Sequence, residues 1–390
     1  MKKVIHHPML LQFSTIRLNV IVRTGYKKIT RTGILENSPM FYYDHQPTTQ
    51  GEFMYRFNIL LFLFLFLVVP NHQLFAQLSG SYTIGSGGNY ASFSAAVTAL
   101  TSQGVSGAVT FNVLNGVYNE QIEIPAITGA SASNSITFQA QSGDAADVTL
   151  YHIANTTGDN YVIRLNSVSY LNFNQLTLEA QGTTYSTVVE LSNGANHISF
   201  SHVTISGYES ATSSGNHYLI SGDNTQIQDL TFDACDFNDG SIAIYLIGYN
   251  LSNLSANNLI QDCTFNSVGY YALYLQYQNS PKIIRNQITS SSYGIYLNYC
   301  QYELEVIANH LICSSYGFYF INCTGGQNIE FSPGLIANNT VSTSGNYGVY
   351  FSGDSYLNFY HNSLNMSSGN SGTVGFYLYN GSNNNVVNNS

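Results

Sequence analysis

The sequence predicts an all-β solenoid, a parallel β-helix with a short N-terminal capping helix. Three observations indicate this fold. A four-residue strand pattern recurs along the second half of the chain. A second sequence position, called the second slot below, recurs at the same period, and no helical periodicity separates the copies. Self-similarity at a period of about 20 to 50 residues is the signature of repeat architectures, in which each repeat buries its apolar face against the next.

The recurring strand contains a small residue, an apolar residue, a tyrosine and a second apolar residue. Successive tyrosines lie 29, 22, 23, 31 and 27 residues apart, and they are Tyr245, Tyr274, Tyr296, Tyr319, Tyr350 and Tyr377. Because successive side chains of a strand point to opposite faces, the apolar pair faces the interior and the tyrosine faces outward. We expect burial of the first five apolar pairs, which are Ile244, Leu246, Leu273, Leu275, Ile295, Leu297, Phe318, Phe320, Val349 and Phe351.

The second slot follows the same period. Along the chain it holds Leu176, Val203, Cys235, Cys263, Asn286, Asn309, Asn339, Asn362 and Asn389. Two strands per repeat without a helix between them cannot form a βαβ sheet, but they fit a coil in which each strand pairs in parallel with its copy about 4.8 Å away. Identical residues then stack, so the asparagines can pass amide hydrogen bonds from coil to coil at a buried turn.

These repeats resemble the right-handed parallel β-helix superfamily, the pectin-lyase-like fold, over roughly residues 80 to 390. The resemblance implies a right-handed parallel β-helix solenoid of the kind found in bacterial secreted β-helix repeat proteins.

A helix signal precedes the repeats. Ser92 is a suitable N-cap and Gly104 a suitable stop, and strands are expected over residues 108–113 and 121–124. The apolar face of the helix consists of Phe93, Ala96, Val97 and Leu100. Since the open end of a solenoid exposes strand edges and core, we assign this helix to an N-terminal cap.

The chain divides into four segments. Residues 54–76 have the pattern of a signal peptide, with Arg56 before an apolar run over residues 59–69 and Ala76 at the cleavage site. This run is shorter than the roughly 20 residues that span a bilayer. Residues 1–53 are interpreted as a mistaken upstream start, the alternative being a long cytoplasmic n-region. Residues 77–150 form the cap and first coils, and residues 151–390 form repeats that stop within a coil, which suggests a missing C-terminal region. We therefore expect a secreted or cell-surface protein.

The charge balance limits the partners. From Gln77 onward the only basic residues are Arg164, Lys282 and Arg285, against all but three of the chain's 21 acidic residues, so this region has a net charge of −15. Nucleic acid and anionic lipid need clustered Lys and Arg, and both are excluded as partners. The charge is compatible with cation binding, and calcium is the candidate ion.

The five cysteines are expected to be free. Cys235 and Cys263 share the second slot, while Cys300 and Cys323 each lie four residues after a repeat tyrosine. Each pair should stack as small inward side chains, since parallel in-register side chains give poor geometry for a disulfide.

The sequence matches no complete catalytic motif of the polysaccharide-active β-helix enzymes. Residues 85–120 resemble the opening of pectin methylesterases and of bacterial secreted β-helix proteins without assigned activity, but the Trp and the Arg motif of the esterases are missing. Asp236 to Gly240 is a superficial match to one esterase motif, and we expect its Phe237 to point inward. A lyase needs a base such as Lys or Arg. Arg285 and Arg164 are better explained as ion pairs with Asp262 and Glu190, which leaves Lys282 without an assigned partner.

Two further features leave alternatives open. The acidic run could ligate calcium, supply glycosidase carboxylates or form a solvated turn region, and it consists of Asp223, Asp229, Asp233, Asp236 and Asp239. The six repeat tyrosines are either packing alone or a flat aromatic platform for sugar rings. We predict a non-catalytic protein that binds polysaccharide through these tyrosines and needs no cofactor. The alternative is a polysaccharide lyase or glycoside hydrolase that acts on an acidic polysaccharide.

Overall fold

Three parallel sheets form a solenoid in which each complete coil contributes one strand to each sheet. The computed structural model describes residues 76–208, 215–327, 332–369 and 371–390. The expected upstream extension and almost all of the signal peptide lie outside these residues. Within the described ranges no helix is long and apolar enough to cross a membrane. The parallel β-helix fold is confirmed.

Every pairing between neighbouring strands of the three sheets is parallel. Sheet A consists of Leu78–Ile84, Val105–Val113, Ile136–Ala140, Ser169–Asn174, Asn196–Ser201, Gln228–Asp233, Leu259–Gln261, Lys282–Ile284, Glu305–Ile307, Gly334–Ala337, Leu357–Tyr360 and Asn385–Val387, with the short strands Ser255–Ala256 and Gln278–Asn279 beside it. Sheet B consists of Gly116–Asn119, Val148–His152, Thr177–Ala180, Thr204–Ser206, Asp236–Asn238, Thr264–Val268, Gln287–Ser290, His310–Cys313, Thr340–Thr343 and Ser363–Met366. Sheet C consists of Ile122–Pro125, Ile163–Asn166, Val189–Ser192, Tyr218–Gly222, Ile242–Ile247, Tyr271–Gln276, Tyr293–Asn298, Tyr316–Ile321, Tyr347–Ser352 and Val374–Tyr379.

The expectation of two strands per repeat was wrong, because each coil has three. The repeat tyrosines lie on sheet C, and the apolar residues that follow the second slot lie on sheet B. In the repeat region the strands of sheet A are as short as Lys282–Ile284, in which only Ile283 is buried. A single inward residue produces no recognisable alternation, which is why the pattern did not reveal this strand.

The core is a set of stacked side-chain columns. All ten apolar residues predicted to face inward on sheet C are at most 1% exposed. In the N-terminal half, sheet A contributes a column of phenylalanines whose ring centroids lie 4.8 to 5.7 Å apart, formed by Phe111, Phe138, Phe173, Phe200 and Phe232. Phe237 points inward as expected and stacks on Phe265 at 4.7 Å.

The second slot forms the expected asparagine ladder at the turn from sheet A to sheet B. Asn309 illustrates the arrangement. Its Nδ2 donates to the carbonyl of Ile283 (2.8 Å) and to Oδ1 of Asn339 (3.0 Å), and its Oδ1 accepts from the backbone N–H and the Nδ2 of Asn286 (both 2.9 Å). The same bonds recur down the ladder as far as Asn389, so buried amides satisfy the backbone of each turn.

The residue before each ladder position lies in the left-handed region of the backbone. These residues have φ between 51° and 58°, and they are Gln175, His202, Ala234, Asp262, Arg285, Ala308, Asn338, His361 and Asn388. One left-handed residue per coil turns the chain from sheet A into sheet B.

The cysteines are free and buried, as expected. Cys235 and Cys263 occupy adjacent coils at the ladder slot, while Cys300 and Cys323 occupy adjacent coils after sheet C. Burial raises the pKa of Cys313, the remaining thiol, to about 12.

The predicted cap is present as helix α1, Phe93–Gln103, which begins after Ser92 and ends at Gly104. The helix packs against Leu78–Ile84 and Ile122–Pro125, the first strands of sheets A and C. Both oxygens of the Glu120 carboxylate accept hydrogen bonds at its N-terminus, from the backbone N–H of Phe93 (3.0 Å) and of Ser94 (2.8 Å). Glu120, which the sequence associated with an esterase-like opening, therefore anchors the cap.

Candidate functional site

The outward side of sheet C carries a row of stacked tyrosines. The six predicted tyrosines are in register on consecutive strands. In the preceding coil the first-row position is Ser221, but the ring of Tyr218, which lies three positions earlier and pairs with Ile242, stacks on Tyr245 and extends the row of rings by one coil. Neighbouring ring centroids along this first tyrosine row lie between 4.5 and 5.2 Å apart. This matches the coil spacing of about 4.8 Å, so the strand pairing itself sets the ring positions of the six in-register tyrosines.

Sequence reasoning missed a second tyrosine row beside the first. It consists of Tyr271, Tyr293, Tyr316 and Tyr347, whose ring centroids lie 4.6, 4.8 and 5.5 Å apart. Each residue precedes a first-row tyrosine by three positions, and this spacing was the signal that could have revealed the row. Tyr293 meets Tyr296 edge-on at an interplanar angle of 77°, and Tyr316 meets Tyr319 at 85°. The two rows together are called the tyrosine face below.

The stacking decides which part of each ring meets the solvent. In the middle of a row both faces of a ring lie against the rings of the adjacent coils, as those of Tyr296 do between Tyr274 and Tyr319 at interplanar angles of 6° and 12°. Because side chains stand roughly perpendicular to a sheet, the ring edges and phenolic hydroxyls point outward. The tyrosine face therefore presents rows of hydroxyl groups, whereas a flat platform would present open ring faces.

The hydroxyls of Tyr271, Tyr274, Tyr293 and Tyr296, in the middle of the tyrosine face, are neutral at physiological pH. Desolvation by neighbouring rings, with a smaller contribution from the adjacent phenols, raises the pKa of Tyr293 to about 12. Burial likewise raises the pKa of Tyr271, Tyr274 and Tyr296 above that of a free phenol. A neutral phenol both donates and accepts hydrogen bonds, as Tyr274 does when its hydroxyl donates to Oε1 of Gln276 at 3.1 Å.

The three basic residues from Gln77 onward all form ion pairs. Arg285 binds Asp262 through two hydrogen bonds of 2.7 and 2.6 Å, and Arg164 binds Glu190 at 2.9 Å, as predicted. Lys282, which the sequence left without a partner, lies 3.3 Å from Glu305 in the next coil. The register places these two residues directly opposite each other on sheet A, so the pair could have been inferred from the repeat.

The aspartates of the acidic run do not point toward a common site. Asp229 lies 3.2 Å from Nδ1 of His197, Asp233 accepts a hydrogen bond from Gln261 at 2.8 Å, and Asp236 is exposed on sheet B. Among the described residues no three His, Cys, Asp or Glu side chains are grouped as a metal site would require. Asp223 is exposed near the first end of the tyrosine face, where its charge adds to desolvation in raising the pKa of Tyr218.

Comparison with known proteins gives structural neighbours only. No protein-family model and no curated protein matches the sequence. The GH136 lacto-N-biosidase from Eubacterium ramulus is 11% identical, with a TM-score of 0.49 over 79% of this chain and 68% of that chain. The Dettilon tailspike protein is 11% identical, with a TM-score of 0.48 over 69% of this chain and 50% of that chain. A mannuronic acid specific polysaccharide family 6 lyase from human gut microbiota is 12% identical, with a TM-score of 0.40 over 79% of this chain and 83% of that chain.

Proposed function

We propose that the protein is a secreted or cell-surface, non-catalytic protein that binds an extended, neutral polysaccharide along the tyrosine face. The observation that carries this proposal is the uninterrupted first row, in which tyrosines follow one another every 4.5 to 5.2 Å from Tyr218 to Tyr377.

The spacing of the row suits a polymer that lies parallel to the solenoid axis. One coil advances by about the length of one pyranose ring in an extended chain, so successive sugars meet successive tyrosines. Phenolic hydroxyls pair with sugar hydroxyls as donors and as acceptors. The rings are held by their neighbours, so little side-chain entropy is lost on binding. Each contact is weak, and affinity should rise with chain length as more coils engage one polymer.

The charges favour a neutral polymer. Arg164, Lys282 and Arg285 are neutralised by Glu190, Glu305 and Asp262 respectively, so none of them is free to hold a carboxylated or sulfated chain. Asp223 at the first end of the tyrosine face, together with the net charge of −15 from Gln77 onward, repels such chains. The same pairing leaves no unpaired Lys or Arg from Gln77 onward to act as the base of an eliminative reaction.

The test is binding to a panel of soluble neutral polysaccharides, with polygalacturonate and alginate as acidic comparisons, measured by calorimetry and affinity electrophoresis. We expect a neutral polymer to bind and its oligosaccharides to bind more tightly as they lengthen. The variant Tyr296→Phe with Tyr319→Phe keeps both rings but removes two hydroxyls, and it should weaken binding about tenfold. Tyr296→Ala with Tyr319→Ala should weaken it further.

The matched control is Tyr151→Ala with Tyr360→Ala, two half-buried tyrosines on sheets B and A. The control should bind like the native protein. If the Tyr296 and Tyr319 variants bind like the native protein, the tyrosine face does not bind the polysaccharide and its tyrosines serve packing alone. Release of reducing or unsaturated ends, abolished by Lys282→Ala or Asp236→Ala, would establish the enzyme alternative. Preference for a protein in place of every polysaccharide would refute the ligand class.

A further inference from the structure

A pocket of about 420 Å³ opens at the corner where the chain leaves sheet C for sheet A. Three successive coils line it with the same corner, and the lining residues are Asn193, Gly194, Asn196, Gln226, Gln228 and Tyr249. None of these residues belongs to the tyrosine face, and none of them carries a charge. Its volume lies in the lower part of the range of about 300 to 1,000 Å³ that is usual for small-molecule sites.

The amide groups of this corner pocket are held in place by their own N–H groups. Nδ2 of Asn193 donates to Oδ1 of Asn166 at 2.8 Å. Nδ2 of Asn196 donates to the carbonyl of Gly194 at 2.9 Å, and Nε2 of Gln226 donates to the carbonyl of Leu254 at 3.0 Å. Within the described part of the chain these are the only hydrogen bonds of the three amide groups, so each retains a carbonyl oxygen and a second N–H for a ligand.

The backbone of the first coil opens the corner. Gly194 has φ +77°, in the left-handed region that glycine adopts without strain, and its N–H donates to Oγ1 of Thr225 in the next coil at 2.9 Å. A methyl group added at Gly194 would lie 3.7 Å from the carbonyl oxygen of Gln226. The turn is thus fixed to the following coil while its side of the pocket stays unobstructed.

Tyr249 supplies the apolar part of the pocket. It is 50% exposed and forms no ring stack with another described aromatic residue, in contrast to the rings of the tyrosine face. Its ring is therefore available to a ligand. Preset amide groups that both donate and accept, beside one available aromatic ring, complement a molecule with adjacent hydroxyls on one side and C–H groups on the other.

We infer that the corner pocket is a second, independent binding site, which takes one or two sugar units of a neutral saccharide. The hydroxyls of the sugar bond to the amides of Asn193, Asn196 and Gln226 and to the side-chain amide of Gln228, and its C–H face packs on Tyr249. The site does not depend on the tyrosine face, because it shares no residue with either row. Uronic acids are disfavoured, because the lining has no cation and Asp229 lies one residue beyond Gln228.

The experiment uses the whole protein and saturation-transfer NMR. The probes are glucose, galactose, mannose, N-acetylglucosamine, cellobiose and lactose, with galacturonate as the anionic comparison. We expect at least one neutral sugar to bind with a Kd on the order of 1 mM and galacturonate to bind at least about tenfold more weakly. Tyr249→Ala and Gln228→Ala should each weaken binding of that sugar about tenfold or more, while Tyr249→Phe retains it.

Two features of these variants keep the test decisive. Both Tyr249 and Gln228 are exposed, and the Gln228 side chain forms no hydrogen bond with another described residue. We therefore expect their replacement to leave the fold intact, and circular dichroism checks this. The variant Tyr296→Phe with Tyr319→Phe should bind the small sugar normally, which separates this site from the tyrosine face. The inference is overturned if no neutral sugar in the panel binds, if galacturonate binds equally well, or if Tyr249→Ala and Gln228→Ala bind like the native protein.

Discussion

Asp354 is a carboxyl group enclosed in the core of the solenoid. It is fully buried in the same inward column as Gln278, Cys300 and Cys323. Its Oδ1 accepts a hydrogen bond from the backbone N–H of Cys323 at 2.6 Å, and its Oδ2 accepts one from that of Ser352 at 2.8 Å. It forms no ion pair with a described cation. Burial outweighs these hydrogen bonds and raises the pKa of Asp354 to about 7.

This carboxyl group makes stability depend on pH. Because the pKa is higher in the folded than in the unfolded chain, protonated Asp354 contributes its full stability below about pH 4. That contribution is lost as the pH rises through about 7, and we expect the loss to be on the order of a few kcal/mol. Denaturant unfolding at pH 4 to 8 measures it. Asp354→Asn should remove this part of the slope, whereas the exposed Asp236→Asn should leave it; a native-like slope in Asp354→Asn would contradict the assignment.

Two of these residue-scale features follow from the register of the repeats. Asp354 follows Tyr350 by four residues, just as Cys300 follows Tyr296 and Cys323 follows Tyr319, so the register alone places it inside. The ion pair between Lys282 and Glu305 follows from the same register. The corner pocket does not, because it depends on the shape of three turns whose lengths differ from coil to coil.

The asparagine ladder is the element that joins the coils at the turn from sheet A to sheet B. Along it, each buried amide replaces the strand-to-strand hydrogen bonds that the turn interrupts. The ladder starts where the slot changes from Cys263 to Asn286, whose Oδ1 accepts a hydrogen bond from the backbone N–H of Cys263 at 2.9 Å. The earlier coils fill the same slot with apolar or thiol side chains, so the N-terminal half depends more on packing and the C-terminal half on amide hydrogen bonds.

Replacing Asn309 by Ala should destabilise the protein by about 2 to 4 kcal/mol. The change leaves the N–H of Asn286 and the carbonyl of Ile283 buried without their partners, and each such loss costs about 1 to 3 kcal/mol. Equilibrium unfolding measures the effect. Asn365→Ala removes an exposed asparagine of sheet B and should change stability by less than about 0.5 kcal/mol. Equal effects of the two substitutions would show that the ladder contributes no special stability.

The sequence predicted these elements unevenly, for physical reasons. The strands of sheet C in the repeat region were predictable because six residues alternate clearly between inside and outside, as in Tyr293–Asn298. The ladder was predictable because its function requires one residue type. The strands of sheet A were not, because three residues such as Glu305–Ile307 bury one side chain and carry no period. The second tyrosine row was not predicted, because its residues lie just before the four-residue strand pattern and outside it.

The solenoid that the described residues form is a linear stack in which each coil contacts its neighbours. Stability in such a stack is a sum of local contributions, and opening can begin at an end. Helix α1 closes the N-terminal end, and it depends on the Glu120 carboxylate for hydrogen bonds at its first turn. A substitution that weakens the cap should therefore destabilise helix α1 and the first coils and leave the distant coils unchanged.

Glu120→Ala should loosen helix α1 and the first coils without affecting the tyrosine face. Loss of the two hydrogen bonds and of a negative charge at the helix N-terminus should cost about 1 to 2 kcal/mol. Hydrogen exchange should quicken in residues 78–125 and stay unchanged in residues 290–350. Glu179→Ala on sheet B is the matched control. Faster exchange throughout the solenoid would mean that the molecule opens as one cooperative unit.

The left-handed corner between sheets A and B has a consequence for what the solenoid can display. Gln, His, Ala, Asp, Arg and Asn all occupy that position, so the bend belongs to the backbone and imposes no side chain. Equivalent positions of adjacent coils lie about 4.8 Å apart along this edge. Asp262 and Arg285 occupy this position in two adjacent coils and form a pair of opposite charges. Substitutions at this position could therefore place a chosen series of side chains along this edge at known intervals, without altering a single core residue.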